Sequence, residues 1–96
     1  MLNDKIILVT GGTGSFGRRF IKTIFARYKL KKVIVFSRDE FKQYQMQKEF
    51  PRGKYPIRYF LGDVRDRSRL FRAFEGVDYV VHAAALKQVP ALEYNP

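Results

Sequence analysis

Residues Lys5 to Gly17 read KIILVTGGTGSFG, and this stretch decides the fold. The run Ile6-Ile7-Leu8-Val9 is apolar without alternation, as a parallel strand covered on both faces requires. Gly11, Gly14 and Gly17 follow at intervals of three, where a strand passes through a tight turn into a helix. Gly11 suits the turn. Gly14, lacking a Cβ, lets a pyrophosphate approach the backbone, and Gly17 lets the helix pack close on the strand. The N-terminus of that helix presents unpaired N–H groups and the positive end of its dipole, a natural seat for phosphate. Three spaced glycines by themselves are a common turn; the strand before them and the helix after them make a nucleotide loop the better reading.

Working outward, strands alternate with helices. Phe16, Phe20, Ile21, Ile24, Phe25 and Tyr28 recur at helical spacing and form the apolar face of the first helix. Val33-Ile34-Val35-Phe36 is a second strand. Asp39 and Glu40 favour the start of a helix running to about Phe50. Pro51-Arg52-Gly53 and Pro56 mark a loop. Ile57 to Leu61 is a third strand. Asp66 can cap a third helix with Leu70, Phe71 and Phe74 turned inward, and Gly76 ends it. Tyr79-Val80-Val81-His82 is a fourth strand. The βαβαβαβ order predicts an α/β fold: a parallel sheet in the order 3-2-1-4, the first half of a doubly wound, Rossmann-type domain. Ligand is then expected outside the carboxyl ends of strands one and four.

Composition narrows the function classes. The 96 residues make one domain at most, and 46% hydrophobic with 16% aromatic content marks a globular chain. There is no cysteine, which excludes disulfides, thiol catalysis and zinc-thiolate sites, and a single histidine disfavours an all-protein metal centre. No apolar run approaches the ~20 residues of a membrane span, and Asp4 and Lys5 interrupt any leader-like segment. A cytoplasmic protein without membrane contact is expected. The net charge is +10, from 19 Lys and Arg against 9 Asp and Glu. The basic residues are spread over helices rather than gathered in a block, so solvated helix faces are favoured over a nucleic-acid surface.

The tip of the second strand bears on cofactor choice. An NAD site usually places Asp or Glu there for the ribose hydroxyls. This chain has Ser37 then Arg38, a pair suited to a 2′-phosphate, and Lys42 one turn on can add charge. The alternative leaves Arg38 in solvent and gives the ribose to Asp39. Asp63, after the third strand, can accept from an adenine amino group while Val64 offers an N–H; equally, Asp63 can be a turn residue. His82 reads as a packed, hydrogen-bonded histidine rather than a base. The small residues Ala83-Ala84-Ala85 let a dinucleotide lie against the backbone. Lys87 can meet an anionic substrate or remain solvated.

TGGTGSFG at 10–17 resembles the extended short-chain dehydrogenase/reductase superfamily. FSRDEFKQYQM at 36–46, RYFLGDVRDRSRL at 58–70 and VDYVVHAAALKQVPALEYNP at 77–96 are similar to the UDP-N-acetylglucosamine 4,6-dehydratase (inverting) group within the polysaccharide biosynthesis proteins. The resemblance implies a lyase using NADP: oxidation at the sugar C4, loss of water across C5–C6, and return of the hydride to C6. It implies that Thr13, Gly14, Ser15 and Phe16 contact the cofactor phosphates. Ser37, Arg38, Asp39, Glu40, Phe41 and Lys42 would surround the 2′-phosphate. Asp63 and Val64 would hold adenine, Ala83 would touch the cofactor, and Lys87 the substrate. It implies a UDP-N-acetylhexosamine substrate and a homo-oligomer. Members of the group are much longer, with a catalytic Tyr-x-x-x-Lys and an Asp-Lys pair beyond the stretch matched here. Residues 1–96 are therefore expected to be the N-terminal, NADP-binding part, inactive alone, of the branch without membrane helices. Tyr28 and Lys32 have the spacing, but belong at the wrong end of the sheet. A nucleotide-sugar 4-epimerase shares every one of these motif classes, and a non-enzymatic nucleotide- or nucleic-acid-binding module is the third reading.

Overall fold

The computed structural model describes residues 2–11, 13–63 and 65–83. Its elements are β1 (Ile6–Thr10), α1 (Ser15–Arg27), β2 (Lys32–Ser37), α2 (Glu40–Glu49), β3 (Ile57–Leu61), α3 (Arg67–Phe74) and β4 (Tyr79–His82). The four strands form one sheet in the order β3-β2-β1-β4, with every pairing parallel. This is the doubly wound, Rossmann-type arrangement that the strand–helix alternation implies.

Sheet position explains strand composition. β1 and β2 are central, and Ile7, Leu8, Val9, Val33, Val35 and Phe36 are all but inaccessible. On one face Ile7, Val9, Val33, Val35 and Ile57 pack with Ile21 and Ile24 of α1 and Met46 of α2. On the other Leu8, Ile34 and Phe36 pack with Ala73 of α3. Each such side chain contributes ~1.5–3 kcal/mol by leaving water. Beyond α2, Tyr55 closes the first core, its ring 5.0 Å from Phe25 and 5.2 Å from Phe50.

The helix limits follow local chemistry. Asp39 and Asp66 cap α2 and α3, accepting from the Lys42 and Arg69 N–H groups. Gly76, just past α3, has φ 76°, the left-handed conformation of a helix terminator. One expectation for α3 fails. Phe71 does not turn inward: it is 77% exposed, whereas Ala73 is buried and Leu70, Phe74 and Val77 pack beside it. At 100° per residue, 70, 73 and 74 share a stripe and 71 falls off it.

Register positions the site. Thr10 lies beside Phe36 and His82, and Ser37 beside Leu61, so the strands present their carboxyl ends along one edge. Tyr28 ends α1 and Lys32 begins β2 beside Ile6, at the opposite edge.

Candidate functional site: the cleft at the carboxyl ends of the strands

β1 ends in a turn that the backbone makes almost unaided. Gly11 has φ 68°, which a side chain would strain, and its N–H donates to the Phe36 carbonyl at 2.9 Å. Gly14 N–H returns to the Gly11 carbonyl at 3.2 Å, and the Arg18 N–H donates to the Gly14 carbonyl at 2.9 Å as α1 begins. Gly14 caps α1 without a side chain. It is extended, with φ −73°, and among the described residues a Cβ there would meet only the Gly11 oxygen, at 3.6 Å. The fold therefore does not need glycine at this position. The open approach to the helix N-terminus does. Gly17 is buried within α1, as close packing on the sheet requires.

The β2 side is built from side chains. Ser37 is buried, and its hydroxyl accepts from Gln43 Nε2 at 3.1 Å. The Asp39 carboxylate is engaged by the Lys42 N–H at 2.9 Å, so the acid nearest the strand tip serves the helix. Arg38 reaches across to Asp63, Nη1 to Oδ2 3.4 Å. Asp63 is gripped harder by Arg65, with Nη2 at 2.8 Å from Oδ2 and the backbone N–H at 2.9 Å from Oδ1. The Arg65 hydrogen bonds, with a smaller contribution from Arg38, hold the Asp63 carboxyl well below the usual carboxylate range.

Between these walls lies a cleft of about 670 Å³, in the range of ~300–1,000 Å³ usual for cofactor and ligand sites. It brings together Gly11, Thr13, Gly14, Phe16 and Gly17 from the first turn, Ser37, Arg38, Asp39 and Lys42 from the second, Asp63 from the third, and Ala83 after β4. Ser15, Glu40 and Phe41 are exposed and do not line it; Phe41 is 67% accessible. Val64 and Lys87 lie outside the described residues. Five lining residues escaped the sequence reading as site members: Thr10, Phe36, Gly62, Arg65 and His82. A Cβ on Gly62 would come within 2.9 Å of the Phe36 ring and 3.1 Å of Arg69 Cγ, so this glycine lets β3, β2 and α3 converge. Arg69 itself lies over the Phe60 ring, 4.8 Å from its centroid, and donates to the Leu61 carbonyl at 2.6 Å.

His82 and Thr10 also line the cleft. His82 Nδ1 is 2.8 Å from the hydroxyl of buried Thr10, and burial lowers its pKa from the ordinary 6.5. The imidazole is packed and hydrogen-bonded, and burial favours its neutral form. Among the described residues no group of His, Cys, Asp and Glu could hold a metal, and no helix is long and apolar enough to cross a membrane.

A cleft of this kind suits many nucleotide proteins, and relatives narrow the choice. Residues 7–96 match the family of polysaccharide biosynthesis proteins. The chain belongs to that family. The UDP-N-acetylglucosamine 4,6-dehydratase (inverting) of Campylobacter jejuni is 53% identical over 96 residues, all of this chain and 28% of that protein. The UDP-glucose 4-epimerase of Rickettsia bellii is 47% identical over 100 residues, again all of this chain and 28% of that protein. Among solved structures, Pen from Bacillus thuringiensis superposes with a TM-score of 0.81 at 45% identity, over 93% of this chain and 27% of that one. The chain thus spans little more than a quarter of the length of these relatives.

Proposed function

We propose that this chain is the NADP-binding N-terminal part of a UDP-N-acetylglucosamine 4,6-dehydratase, a lyase of nucleotide-sugar metabolism. The observation that carries the cofactor half is the makeup of the cleft. Its phosphate side is a glycine turn running into a helix N-terminus. Its adenosine side is basic, and Asp39 is taken up in capping α2. The residues present fit NADP. The α1 N-terminus and Gly14 would take the pyrophosphate, Arg38 and Lys42 the 2′-phosphate, with buried Ser37 shaping the strand tip beneath them. When bound, the dinucleotide supplies the hydride acceptor and donor that a redox-neutral dehydration requires. Thr10 holds His82 by one ring nitrogen, and Ala83 leaves room beside it. The substrate half rests on the 53% identity to the Campylobacter enzyme. Cytoplasmic location and self-association belong to the same proposal. Both rest on the family resemblance.

The test has two parts. Calorimetric titration should give tighter binding of NADP than of NAD; equal affinities would remove the NADP assignment. Product analysis with UDP-N-acetylglucosamine, on the longer protein built around this chain, should yield a 4-keto-6-deoxy sugar, while residues 1–96 alone should yield none. Inversion at C4 instead would favour the second reading, an epimerase, which the 47% identity to the Rickettsia protein supports.

A further inference from the structure

A second cavity, of about 440 Å³, lies on the α3 face of the sheet towards the amino ends of β2 and β3, within the ~300–1,000 Å³ usual for ligand sites. Strand alternation builds its floor. Ile34 of β2 and Phe60 of β3 share one face with Lys32 and Arg58, and Ala73 of α3 packs on them. Four cations surround that floor, each from a different segment: Lys32 at the start of β2, Arg52 from the loop after α2, Arg58 of β3 and Arg72 of α3. Glu75 is the one acid in the lining. None of these five belongs to the ion pairs that the described residues make, which engage Arg18, Arg38 and Arg65. The surplus of positive charge exceeds what one phosphate monoester, of about −1.5 to −2, would balance, and fits two phosphoryl groups. Arginine forks match phosphate oxygens in pairs. The rings of the lining are already engaged. Phe60 stacks on Phe36, centroids 5.6 Å apart, and carries the Arg69 guanidinium 4.8 Å from its centroid. Tyr59 packs on the opposite core, its hydroxyl on the Phe50 carbonyl. Charge, rather than a stacking platform, is what this cavity offers. It is also remote from the first: Lys32 pairs with Ile6, whereas the cleft begins at Thr10, and no residue lines both.

We propose that this cavity is a second anion site, one that takes a diphosphate group, with Arg58 and Arg72 as its principal ligands. It stands apart from the dinucleotide reading and survives if that reading fails. The diphosphate can be inorganic or part of a nucleotide, and the probes separate the two sources: inorganic pyrophosphate, UDP and orthophosphate, each titrated into isotope-labelled protein while backbone amide shifts are followed. Pyrophosphate should move the amides of Lys32, Arg58, Arg72 and Glu75 along one saturating curve, separable from any movement at residues 11–17. It should bind about tenfold or more tighter than orthophosphate, which offers one phosphoryl group. Arg58→Gln and Arg72→Gln should each weaken pyrophosphate about tenfold. Arg58→Lys should recover part of the loss, because it keeps the charge without the fork. Arg27→Gln removes the same charge from the end of α1, outside the cavity, and should stay within about twofold of wild type. Arg58 and Arg72 are exposed and sit on different elements, so if circular dichroism shows one variant misfolded, the other decides. UDP binding no tighter than pyrophosphate would make the inorganic group the ligand; UDP binding tighter would make a nucleotide its source. Orthophosphate binding as well as pyrophosphate would overturn the diphosphate assignment. An equal loss in Arg27→Gln would reduce the binding to diffuse charge attraction. Shifts confined to residues 11–17 would place the anion at the α1 N-terminus alone, and the absence of saturation would leave four solvated side chains; either result overturns the proposal.

Discussion

The two walls of the cleft are made of different material. The wall from Gly11 to Gly17 is backbone: a left-handed glycine, an open N-cap and the first N–H groups of α1. The wall formed by Arg38, Lys42, Asp63 and Arg65 is charge carried on side chains. In the proposed reading, a backbone wall meets what all dinucleotides share, the pyrophosphate, and a charged wall meets what distinguishes them. Each wall also carries a glycine, and the two are glycines for opposite reasons. A Cβ on Gly14 would make one ordinary contact with the Gly11 oxygen among the described residues, whereas one on Gly62 would press on a ring and a helix.

The strongest way to break this comparison is at Gly14. Gly14→Val should abolish binding of NADP and NAD alike, because a branched Cβ occupies the phosphate approach. Thermal stability should change little, since among the described residues the nearest contact of the new Cβ, the Gly11 oxygen, is 3.6 Å away. Retained binding in a folded variant would reduce Gly14 to a turn residue. Next in size is Arg38→Ala. It should cost NADP ~1.5–3 kcal/mol, roughly ten- to a hundredfold in affinity, and NAD almost nothing. Parallel losses in calorimetric titrations would deny the charged wall its selectivity.

Gly62→Ala inverts the Gly14 result. The new methyl would press on the buried Phe36 ring at 2.9 Å, and although Arg69 can move, Phe36 cannot. A loss of ~1–3 kcal/mol is expected from overpacking, read as a lower denaturant midpoint. A variant as stable as wild type would show that the three elements do not meet so closely. The smallest effect is a pH dependence. Burial holds the folded-state pKa of His82 below its ordinary 6.5, so the unfolded chain takes up the proton first as pH falls. The contribution of neutral His82 is complete above about pH 6.5 and is lost as pH drops below that value towards the folded pKa. Melting temperature should fall between pH 7.5 and 5.5, and His82→Gln should flatten the fall; an unchanged slope would show that His82 does not carry it. Tyr59 adds the alkaline counterpart. Its pKa is pushed up to about 12, first by burial and then by the charge of Glu49, while its hydroxyl donates to the Phe50 carbonyl. Its contribution is complete below pH 10 and is lost as pH rises towards 12. Tyr59→Phe should remove that alkaline decline.

The order of elements was legible in the sequence because the information is local and repeated. β1 and β2 are apolar on both faces, the three glycines mark one turn, and Asp39, Asp66 and Gly76 punctuate helices within a few residues of their action. From the parallel alternation, the sheet order and the edge that carries the cleft follow. Tertiary structure decided the rest. Phe71 follows Leu70 in sequence, yet the face that α3 packs on the sheet leaves Phe71 in water and buries Ala73. Nothing near Gly62 in the chain announces that Phe36 will lie against it. Asp63 as a hydrogen-bond acceptor was evident, but its partners were not. They depend on the turn that brings Arg65 back onto Asp63 and on the strand pairing that carries Arg38 alongside, Ser37 next to Leu61. Hydrophobic period and turn chemistry are properties of neighbouring residues, so the sequence by itself determines them. Which charges share one carboxylate is a property of distances across the sheet, and only the folded chain sets those.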